Sequence, residues 1–298
     1  MSETLLANEP AIRMAVFMAV LAGLAVWELA APRRRQEIPR LLRWSNNLAV
    51  VALDSLLVRL VFPVVAVGLA MEAETNGWGL FNSIDIPAWL AFLLALVLLD
   101  LIIYLQHVLM HAVPALWRLH RMHHADLEFD VTTGLRFHPG EILLSMALKL
   151  AAIAALGPPA LAVLVFEIVL NASSMFTHSN VRLPRRLDKA LRWVLVTPDM
   201  HRVHHSIDQP ETDSNYGFNL SIWDRLLGTY RDQPKLGHDG MTLGLEQFRA
   251  RRELWLDRML LQPLRGPARG ADAADPTSAP PRSRKPAPKS AAEIAPGE

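Results

Sequence analysis

Histidines are concentrated in one stretch of this chain, between residues 107 and 205. Ten of its eleven histidines lie there. Eight of the ten form three groups with helical spacing, and two stand singly: His107 and His111; His120, His123 and His124; His201, His204 and His205; then His138 and His178. Because positions i, i+3 and i+4 share one face of a helix, each group is expected to present its imidazoles in one direction.

This clustering predicts a metal site, since neutral imidazole is a ligand for zinc, copper, iron and nickel. One tetrahedral ion is saturated by about four ligands. Eight or ten histidines are therefore too many for a single ion, but they suffice for a pair of ions with higher coordination and open positions. Open coordination at a redox metal is what oxygen activation requires. His238 is instead predicted to be a solvent-facing turn residue.

Composition narrows the classes of protein. Hydrophobic residues make up 51% of the chain, which favours a polytopic membrane protein over two soluble domains. The formal net charge of +1 gives no reason to expect nucleic acid as a partner. The chain has no cysteine, so disulfides, thiolate zinc sites, iron–sulfur clusters and cysteine nucleophiles are excluded.

Long apolar runs indicate where the chain crosses a membrane. The runs at residues 12–31, 48–71 and 86–104 are each long enough for a bilayer, which takes about 20 residues. Two shorter apolar arms, 139–156 and 160–176, are joined by Gly157-Pro158-Pro159. This predicts a helical hairpin that either crosses the membrane or re-enters it.

The basic run Arg33-Arg34-Arg35 follows the first span, so the positive-inside rule places it in the cytoplasm. All three histidine groups then fall on the cytoplasmic side of the cell inner membrane, in a multi-pass protein. The predicted fold class is all-α, a polytopic membrane helical bundle with a cytoplasmic, helical, histidine-rich cap. We expect two N-terminal spans (1–85), a histidine-bearing domain (86–262) and a disordered tail (263–298).

Charged residues inside the apolar runs call for partners. Lys149 and Glu167 lie at similar distances from the hairpin apex, so we predict that they pair; the alternative is that Lys149 reaches the interface alone. Asp100 is either a functional carboxylate or a satisfied structural acid. Beyond the hairpin we predict helices at 182–196, 220–229 and 245–261, and one opened by Thr197-Pro198-Asp199.

Several segments, together with the three histidine groups, resemble the fatty acid hydroxylase superfamily, which includes the sterol desaturases and sterol methyl oxidases. The resemblance covers roughly residues 90–245 and looks like that of a bacterial member. The segments that carry it are DVTTGLRFHPGE at 130–141, residues 171–180 with FTHSN, TPDMH at 197–201, NYG at 215–217 and LSIWDRLLGTY at 220–230.

The resemblance implies a non-haem di-iron enzyme that uses O2 to hydroxylate or desaturate a C–H bond of a fatty acyl or sterol-like lipid. The eight grouped histidines match the family's ligand motifs, so two iron ions per chain are implied. His138 and His178 sit where the sterol oxidase branch also places histidines, and are included as ligands. Asp199, Asn180 and Asp224 would hydrogen-bond ligating imidazoles, although Asp199 could equally cap a helix.

Electrons are expected from a separate donor, a ferredoxin or a cytochrome with its reductase, because the chain has no recognisable dinucleotide loop or redox domain. A basic surface would either receive this carrier or bind anionic membrane lipids; its residues are Arg182, Arg185, Arg186, Lys189 and Arg192. Two other classes compete: a membrane metal transporter, with ligands near the bilayer midplane, and a haem-binding electron carrier, which needs about two axial histidines. Ligands at the membrane edge, in this number, disfavour both.

Overall fold

A computed structural model describes residues 2–266 of the chain, and this part is built from helices with no β-sheet. Its α-helices are α1 (Ser2–Ala7), α2 (Glu9–Ala30), α3 (Arg40–Val61), α4 (Ala66–Asn76), α5 (Leu80–Ser83), α6 (Ala88–Ala112), α7 (Pro114–His124), α8 (Pro139–Leu156), α9 (Ala160–Thr177), α10 (Arg185–Leu191), α11 (Pro198–His204), α12 (Gln209–Thr212), α13 (Ile222–Leu226), α14 (Gly237–Gly240) and α15 (Leu256–Leu261). Short 3-10 helices span Thr133–Leu135, Glu246–Phe248, Arg251–Leu254 and Gln262–Leu264. The predicted all-α class is confirmed.

Five helical segments in residues 2–266 are long and apolar enough to cross a membrane: Glu9–Ala30, Arg40–Ser83, Ala88–Ala112, Pro139–Leu156 and Ala160–Thr177. Large apolar side chains on these helices, among them Met18, Leu29, Trp89 and Leu93, are exposed rather than buried in the bundle. A wide apolar surface of this kind suits contact with lipid. The chain is therefore a multi-pass membrane protein.

The second apolar run, predicted as a span at 48–71, lies within the candidate span Arg40–Ser83, but it is divided between two helices. α3 ends at Val61 and α4 begins at Ala66, with Pro63 between them. Proline lacks the backbone N–H that would continue the helix, and its ring clashes with the preceding turn. The chain bends here, and α4 packs its small residues, such as Ala66 and Ala70, into the bundle core.

The predicted hairpin is formed by α8 and α9. Gly157 ends α8 with φ of 58°, a left-handed conformation that favours glycine. Its Cα position lies so close to Gly79 that a side chain at either residue would meet backbone atoms within 3.0 Å. Asn82 donates a hydrogen bond to the Gly157 carbonyl, with 3.2 Å between the atoms. The apex is thus held against the turn that precedes α5.

The predicted pairing of Lys149 with Glu167 is confirmed. The Lys149 Nζ lies 2.7 Å from Glu167 Oε1. Arg13 of α2 joins them, 2.8 Å from Glu167 Oε2 and 2.6 Å from Glu9 Oε1. The four side chains form a chain of alternating charge, which offsets the cost of placing ions among membrane helices.

Two segments form the cap, the loop at residues 125–138 and the residues after α9, and the second segment is less helical than predicted. The expected helix at 182–196 is confined to Arg185–Leu191, that at 220–229 to Ile222–Leu226, and 245–261 contains short 3-10 turns before Leu256–Leu261. Tertiary contacts override local propensity here. Asp100 of α6 explains one case: it accepts hydrogen bonds from Asn219 Nδ2 and Trp223 Nε1, both at 2.8 Å, and so fixes residues 219–223. Asp100 is a satisfied structural acid.

The N-terminal helices brace the cap. Glu28 Oε1 accepts from the backbone N–H groups of Val131 and Asn180, both at 2.7 Å. Arg43 lies fully buried between Asp126 and Asp130, with its Nε and Nη2 each 2.8 Å from Asp126. These contacts join α2 and α3, which precede the predicted boundary at residue 85, to the segment that carries the histidines.

The predicted disordered tail begins too early. Arg118 Nη1 donates to the Pro263 carbonyl at 3.1 Å, and Arg265 pairs with Glu253 at 2.5 Å. Residues 263–266 are thus packed against the cap, and residues 267–298 lie outside the described part of the chain.

Candidate metal centre

Four helices end at one place and carry nine buried histidines to it. α6 supplies His107 and His111; α7 supplies His120, His123 and His124; His178 follows the last residue of α9; α11 supplies His201 and His204, with His205 next in the chain. Local signals start these helices. Proline occupies the first position of α7 and α11, and the Thr197 hydroxyl accepts from the Met200 N–H at 3.3 Å.

The nine histidines form two groups, within each of which the potential ligand atoms lie within 4.8 Å of one another. The first group is His107, His111, His120, His124 and His204; the second group is His123, His178, His201 and His205. The groups are adjacent, since the rings of His124 and His205 stack with centroids 4.5 Å apart. Each cluster in the sequence was predicted to point its imidazoles one way. That prediction is wrong for the two triplets, because His123 and His204 each lie in a different spatial group from the other two histidines of their triplet.

The spacing of ring nitrogens within each group suits a metal ion. In the first group, Nε2 of His107 lies 3.1 Å from Nε2 of both His120 and His204. In the second, Nε2 of His178 lies 3.0 Å from that of His123 and 3.1 Å from that of His205. Adjacent ligands of an octahedral ion, with metal–nitrogen bonds of roughly 2.1 Å, are about 3.0 Å apart.

Hydrogen bonds at the opposite ring nitrogens show that these contacts cannot be ordinary hydrogen bonds. His107 Nδ1–H donates to the Tyr216 carbonyl and His204 Nδ1–H to the Ser214 carbonyl, both at 2.7 Å. A carbonyl only accepts, so in the neutral rings both Nε2 atoms are unprotonated. Two lone pairs then face each other 3.1 Å apart. A cation between them satisfies both, and this is the strongest structural argument for a metal.

Burial keeps the histidines in the form that binds metal. Burial lowers the pKa of His124, His201, His204 and His205 well below the ordinary value, and neighbouring histidines lower it further. Burial likewise lowers the pKa of His178 to about 3. The imidazoles are therefore neutral at neutral pH, as ligation requires.

Glu141 is a candidate site residue that the sequence reasoning missed. Its Oε1 lies 2.8 Å from His120 Nδ1, where it orients the ring, as carboxylates commonly do for ligating histidines. The other partners are mostly backbone carbonyls: Ser174 accepts from His178 Nδ1 at 2.7 Å. Asp213 Oδ1 lies 3.3 Å from His111 Nδ1. Glu141 occurs in the HPGE segment, and its position three residues after His138 gave no sign of its partner.

Replacing Glu141 with alanine is expected to weaken metal binding by the first group. Loss of such a carboxylate typically lowers metal affinity about 10–100-fold, whereas Glu141→Gln keeps an oxygen that can accept the His120 proton. Competition with a chelator of known affinity measures the effect on purified protein. Equal affinities for Glu141→Ala and the unaltered protein would contradict the assigned role.

His138 is not brought into either group. Its Nδ1 accepts from the Gly140 N–H at 3.0 Å, and its Nε2 lies 3.2 Å from the Leu260 carbonyl. Both ring nitrogens are occupied by backbone, so the side chain caps α8 and ties it to α15. The position of His138 does not support the predicted ligand role.

The three predicted partners of the histidines lie elsewhere. Asp199 pairs with Arg33, at 3.2 Å, and with Arg202, while Thr197 caps α11 in its place. Asn180 holds the backbone of Arg34 through its N–H, at 2.9 Å, and its carbonyl, at 2.8 Å. These residues fasten the basic loop to the cap and touch none of the nine histidines.

Asp224 contacts the site indirectly, through the backbone of Tyr216. Its carboxylate accepts from the N–H groups of Tyr216, at 2.8 Å, and Gly217, at 3.0 Å. Burial raises the pKa of Asp224 to about 6, against the hydrogen bonds that favour its charged form. Since the Tyr216 carbonyl holds His107, Asp224 positions that histidine through the backbone.

The prediction for His238 is wrong, because the residue is buried rather than solvent-facing. It lies in the short helix α14, with Nε2 3.7 Å from Asp199 Oδ2. Burial lowers its pKa to about 4. It belongs to neither histidine group.

A cavity of about 300 Å³ adjoins the first group. His107 and His120 are the histidines that line it within the described residues. Apolar side chains, including Ile103, Met110, Leu135 and Phe137, form much of its wall, and Arg13, Lys149 and Glu167 also contribute. An apolar ligand inside this cavity would lie against the metal-binding nitrogens of the first group.

Comparisons with known proteins find similarity in the part of the chain that carries the histidines. Residues 92–229 match the fatty acid hydroxylase family. The chain is 35% identical over 149 residues to an ornithine lipid hydroxylase of Rhizobium tropici, covering 50% of this chain and 44% of that protein. It is 30% identical over 187 residues to an alkylglycerol monooxygenase of Xenopus tropicalis, covering 61% and 40% of the two chains. A fatty acid hydroxylase of a Lecanicillium species is 27% identical over 217 residues, or 67% and 56%.

The matched part spans less than half of the length of the first two relatives. No solved structure matches the chain. All nine histidines of the two groups lie within the segment that matches the family.

Proposed function

We propose that this chain, whose residues 92–229 match the fatty acid hydroxylase family, is a membrane-bound, non-haem di-iron oxidoreductase. It uses O2 to hydroxylate, or to desaturate, a C–H bond of a lipid. The observation that carries the proposal is the pair of converging histidine groups beside an apolar cavity. The names of the relatives, a lipid hydroxylase and a monooxygenase, support the same class of reaction.

Five histidines would hold one iron ion and four the other. Two such ions supply the redox chemistry that activates O2. The residues of the chain bind and orient: carbonyls of Ser174, Ser214 and Tyr216 fix the imidazole tautomers, and Glu141 holds His120. A site with nitrogen ligands and no cysteine suits iron better than it suits a soft metal ion.

The cavity would hold the substrate and exclude water. Ile103, Leu135 and Phe137 offer apolar contact for an alkyl chain, while His107 and His120 present the first group at its wall. A bound chain would therefore place one of its C–H bonds close to the first iron. Proximity of this kind is a large part of catalysis.

The proposed orientation puts the metal centre in the cytoplasm, at the inner membrane. Arg33 donates its backbone N–H to the Asn180 carbonyl at 2.8 Å, two residues after His178. The basic loop at 33–35 thus packs directly on the cap. By the positive-inside rule such a loop remains cytoplasmic, and the histidines would be on the same side.

A separate protein would deliver electrons at a groove of about 1040 Å³ on the cap. All five basic side chains of the predicted surface line it: Arg182, Arg185, Arg186, Lys189 and Arg192. Arg192 is the most buried of them and pairs with Asp188 at 2.8 Å. We propose an acidic carrier, a ferredoxin or a cytochrome, for this basic part of the groove.

Lipid profiling tests the proposed function. The chain is expressed in a bacterial host, and extracted lipids are scanned for a gain of one oxygen atom or a loss of two hydrogen atoms. We expect such products with the unaltered chain and with His138→Ala, and none with His123→Ala. Metal analysis of the same protein should find about two irons per chain. A Soret band without oxidised lipid would instead indicate a haem carrier, and unaltered lipid with cellular metal uptake would indicate a transporter.

A further inference from the structure

The membrane bundle contains a buried carboxyl, Asp54, that the described residues do not fully satisfy. Asp54 lies on α3, is 7% exposed and lines the cavity beside the first histidine group. Its Oδ1 has no hydrogen-bond partner among residues 2–266. This distinguishes it from Asp100 and Glu167, which are satisfied by side chains of neighbouring segments.

The position of Asp54 places it near the metal centre. Val50, one helical turn earlier, packs in a cluster with Met122, which lies between His120 and His123 in the chain. The four residues from Val50 to Asp54 rise about 6 Å along the helix. Val51, Asp54 and Val58 all line the cavity, so this face of α3 forms its wall.

A second unpaired carboxyl oxygen lines the same cavity. Glu141 uses Oε1 to hold His120, whereas its Oε2 is buried and has no hydrogen-bond partner in the described residues. Two carboxyl groups thus present acceptors to one apolar cavity. Within residues 2–266, the arginine and the lysine that line this cavity are engaged with other acids: Arg13 with Glu9 and Glu167, and Lys149 with Glu167.

An acceptor buried in an apolar wall is costly unless a donor reaches it, and ionisable residues inside membrane segments commonly mark substrate paths. The donor must then come from whatever fills the cavity. We propose that Asp54 determines substrate specificity by accepting a hydrogen bond from a hydroxyl, amide N–H or ammonium group of the lipid. This inference rests on the proposed function, since it assigns the polar end of that enzyme's substrate.

The rest of the lipid would extend along the cavity towards Lys149 and Glu167. Glu141 and Lys149 are separated by eight residues of α8, which is about 12 Å. A volume of about 300 Å³ holds on the order of ten groups the size of a methylene or a water molecule. The polar end therefore lies at the histidines and the alkyl chain leads away, so oxidation takes place close to the polar group.

Asp54 lies outside the segment that matches the family, residues 92–229. The histidines and Glu141 lie inside that segment. The residues that would hold the metal and the residue that would set the substrate preference are thus in different parts of the chain, and the latter belongs to helix α3.

Binding of ten-carbon probes tests the assignment without requiring turnover. Decanol, decylamine, decanoate and decane are titrated into the purified, full-length protein in detergent, and bound probe is counted by native mass spectrometry. We expect decanol and decylamine to bind at least ten-fold more tightly than decanoate or decane. Asp54→Leu should remove this preference, while Asp54→Asn should retain decanol binding and lose most of the advantage of decylamine, because an amide oxygen still accepts but carries no charge.

Asp85→Asn is the matched control, since Asp85 is an exposed acid that does not line the cavity. It should bind all four probes as the unaltered protein does. Unchanged preferences in both Asp54 variants, or decane binding as tightly as decanol, would overturn the assignment. Iron content of the same preparations is measured in parallel: normal iron with no donor preference removes this inference alone, whereas absence of iron removes the proposed function. Which of decanol and decylamine binds more tightly distinguishes a neutral from a cationic polar group.

Discussion

Replacing His204 with alanine is expected to lower the iron content from about two ions per chain to about one. His204 belongs to the first group, where its Nε2 lies 3.1 Å from that of His107. Removing a ligand should cost more affinity than the roughly 10–100-fold typical of its hydrogen-bond partners. The second group keeps all four of its histidines. Elemental analysis of purified protein, normalised to protein concentration, measures the change.

His205→Ala is the complementary variant, because it removes a ligand of the second group only. Replacing His204 and replacing His205 should therefore each abolish the binding of a different ion, and the double variant should bind neither ion. His138→Ala is the matched control, since His138 faces backbone groups and should leave both ions in place. Full iron in His204→Ala and His205→Ala would refute the assignment of the groups, as would equal loss in His138→Ala.

Replacing Arg43 with methionine is expected to lower the free energy of unfolding strongly. The Arg43 side chain is fully buried and contacts Asp126, Asp130 and Thr133. Burial by itself would raise the pKa of Asp126, yet the Arg43 guanidinium holds that pKa below the ordinary value. Without Arg43, two buried carboxylates lose the cation that pairs with both of them, which costs about 3–5 kcal/mol.

Thermal unfolding in detergent, followed by circular dichroism, measures this loss. Arg59→Met is the matched control: it removes an arginine from the same helix, but Arg59 is exposed. We expect Arg43→Met to melt well below the unaltered protein and Arg59→Met to melt close to it. Equal melting temperatures for the two variants would show that the buried network does not hold α3 to the cap. Because Asp126 and Asp130 follow His123 and His124 closely in the chain, iron binding should fall with stability.

Much of the fold could be predicted because membranes constrain chains strongly. A run of apolar residues long enough to cross a bilayer must satisfy its backbone internally, so its helical state follows from length and composition. The Gly157-Pro158-Pro159 break likewise identified the hairpin. Pro63 carried a similar signal, and the predicted span at 48–71 passed over it. The cap was harder, because short segments such as 245–261 owe their shape to packing partners far away in the chain.

The sequence by itself predicted a cluster of histidines suited to metal binding, and the structure brings these histidines together. His107 with His111, His120 with His124 and His201 with His205 are spaced four apart, and each of these pairs stays together in one group. Spacing of four residues keeps side chains on the same line of a helix. Clustering and spacing are local properties, and they can be read without a fold.

Only the tertiary structure decided how the histidines are shared and which residues support them. His123 and His204 are three residues from their neighbours, so they point off the shared line and reach the other group. His178 joins the second group because α9 ends there, while His138 starts α8 and faces backbone. Contacts between helices distant in sequence bring Glu141, Arg43 and Asp54 to the site. The angles and distances between helices set such contacts, and those are properties of the packed bundle.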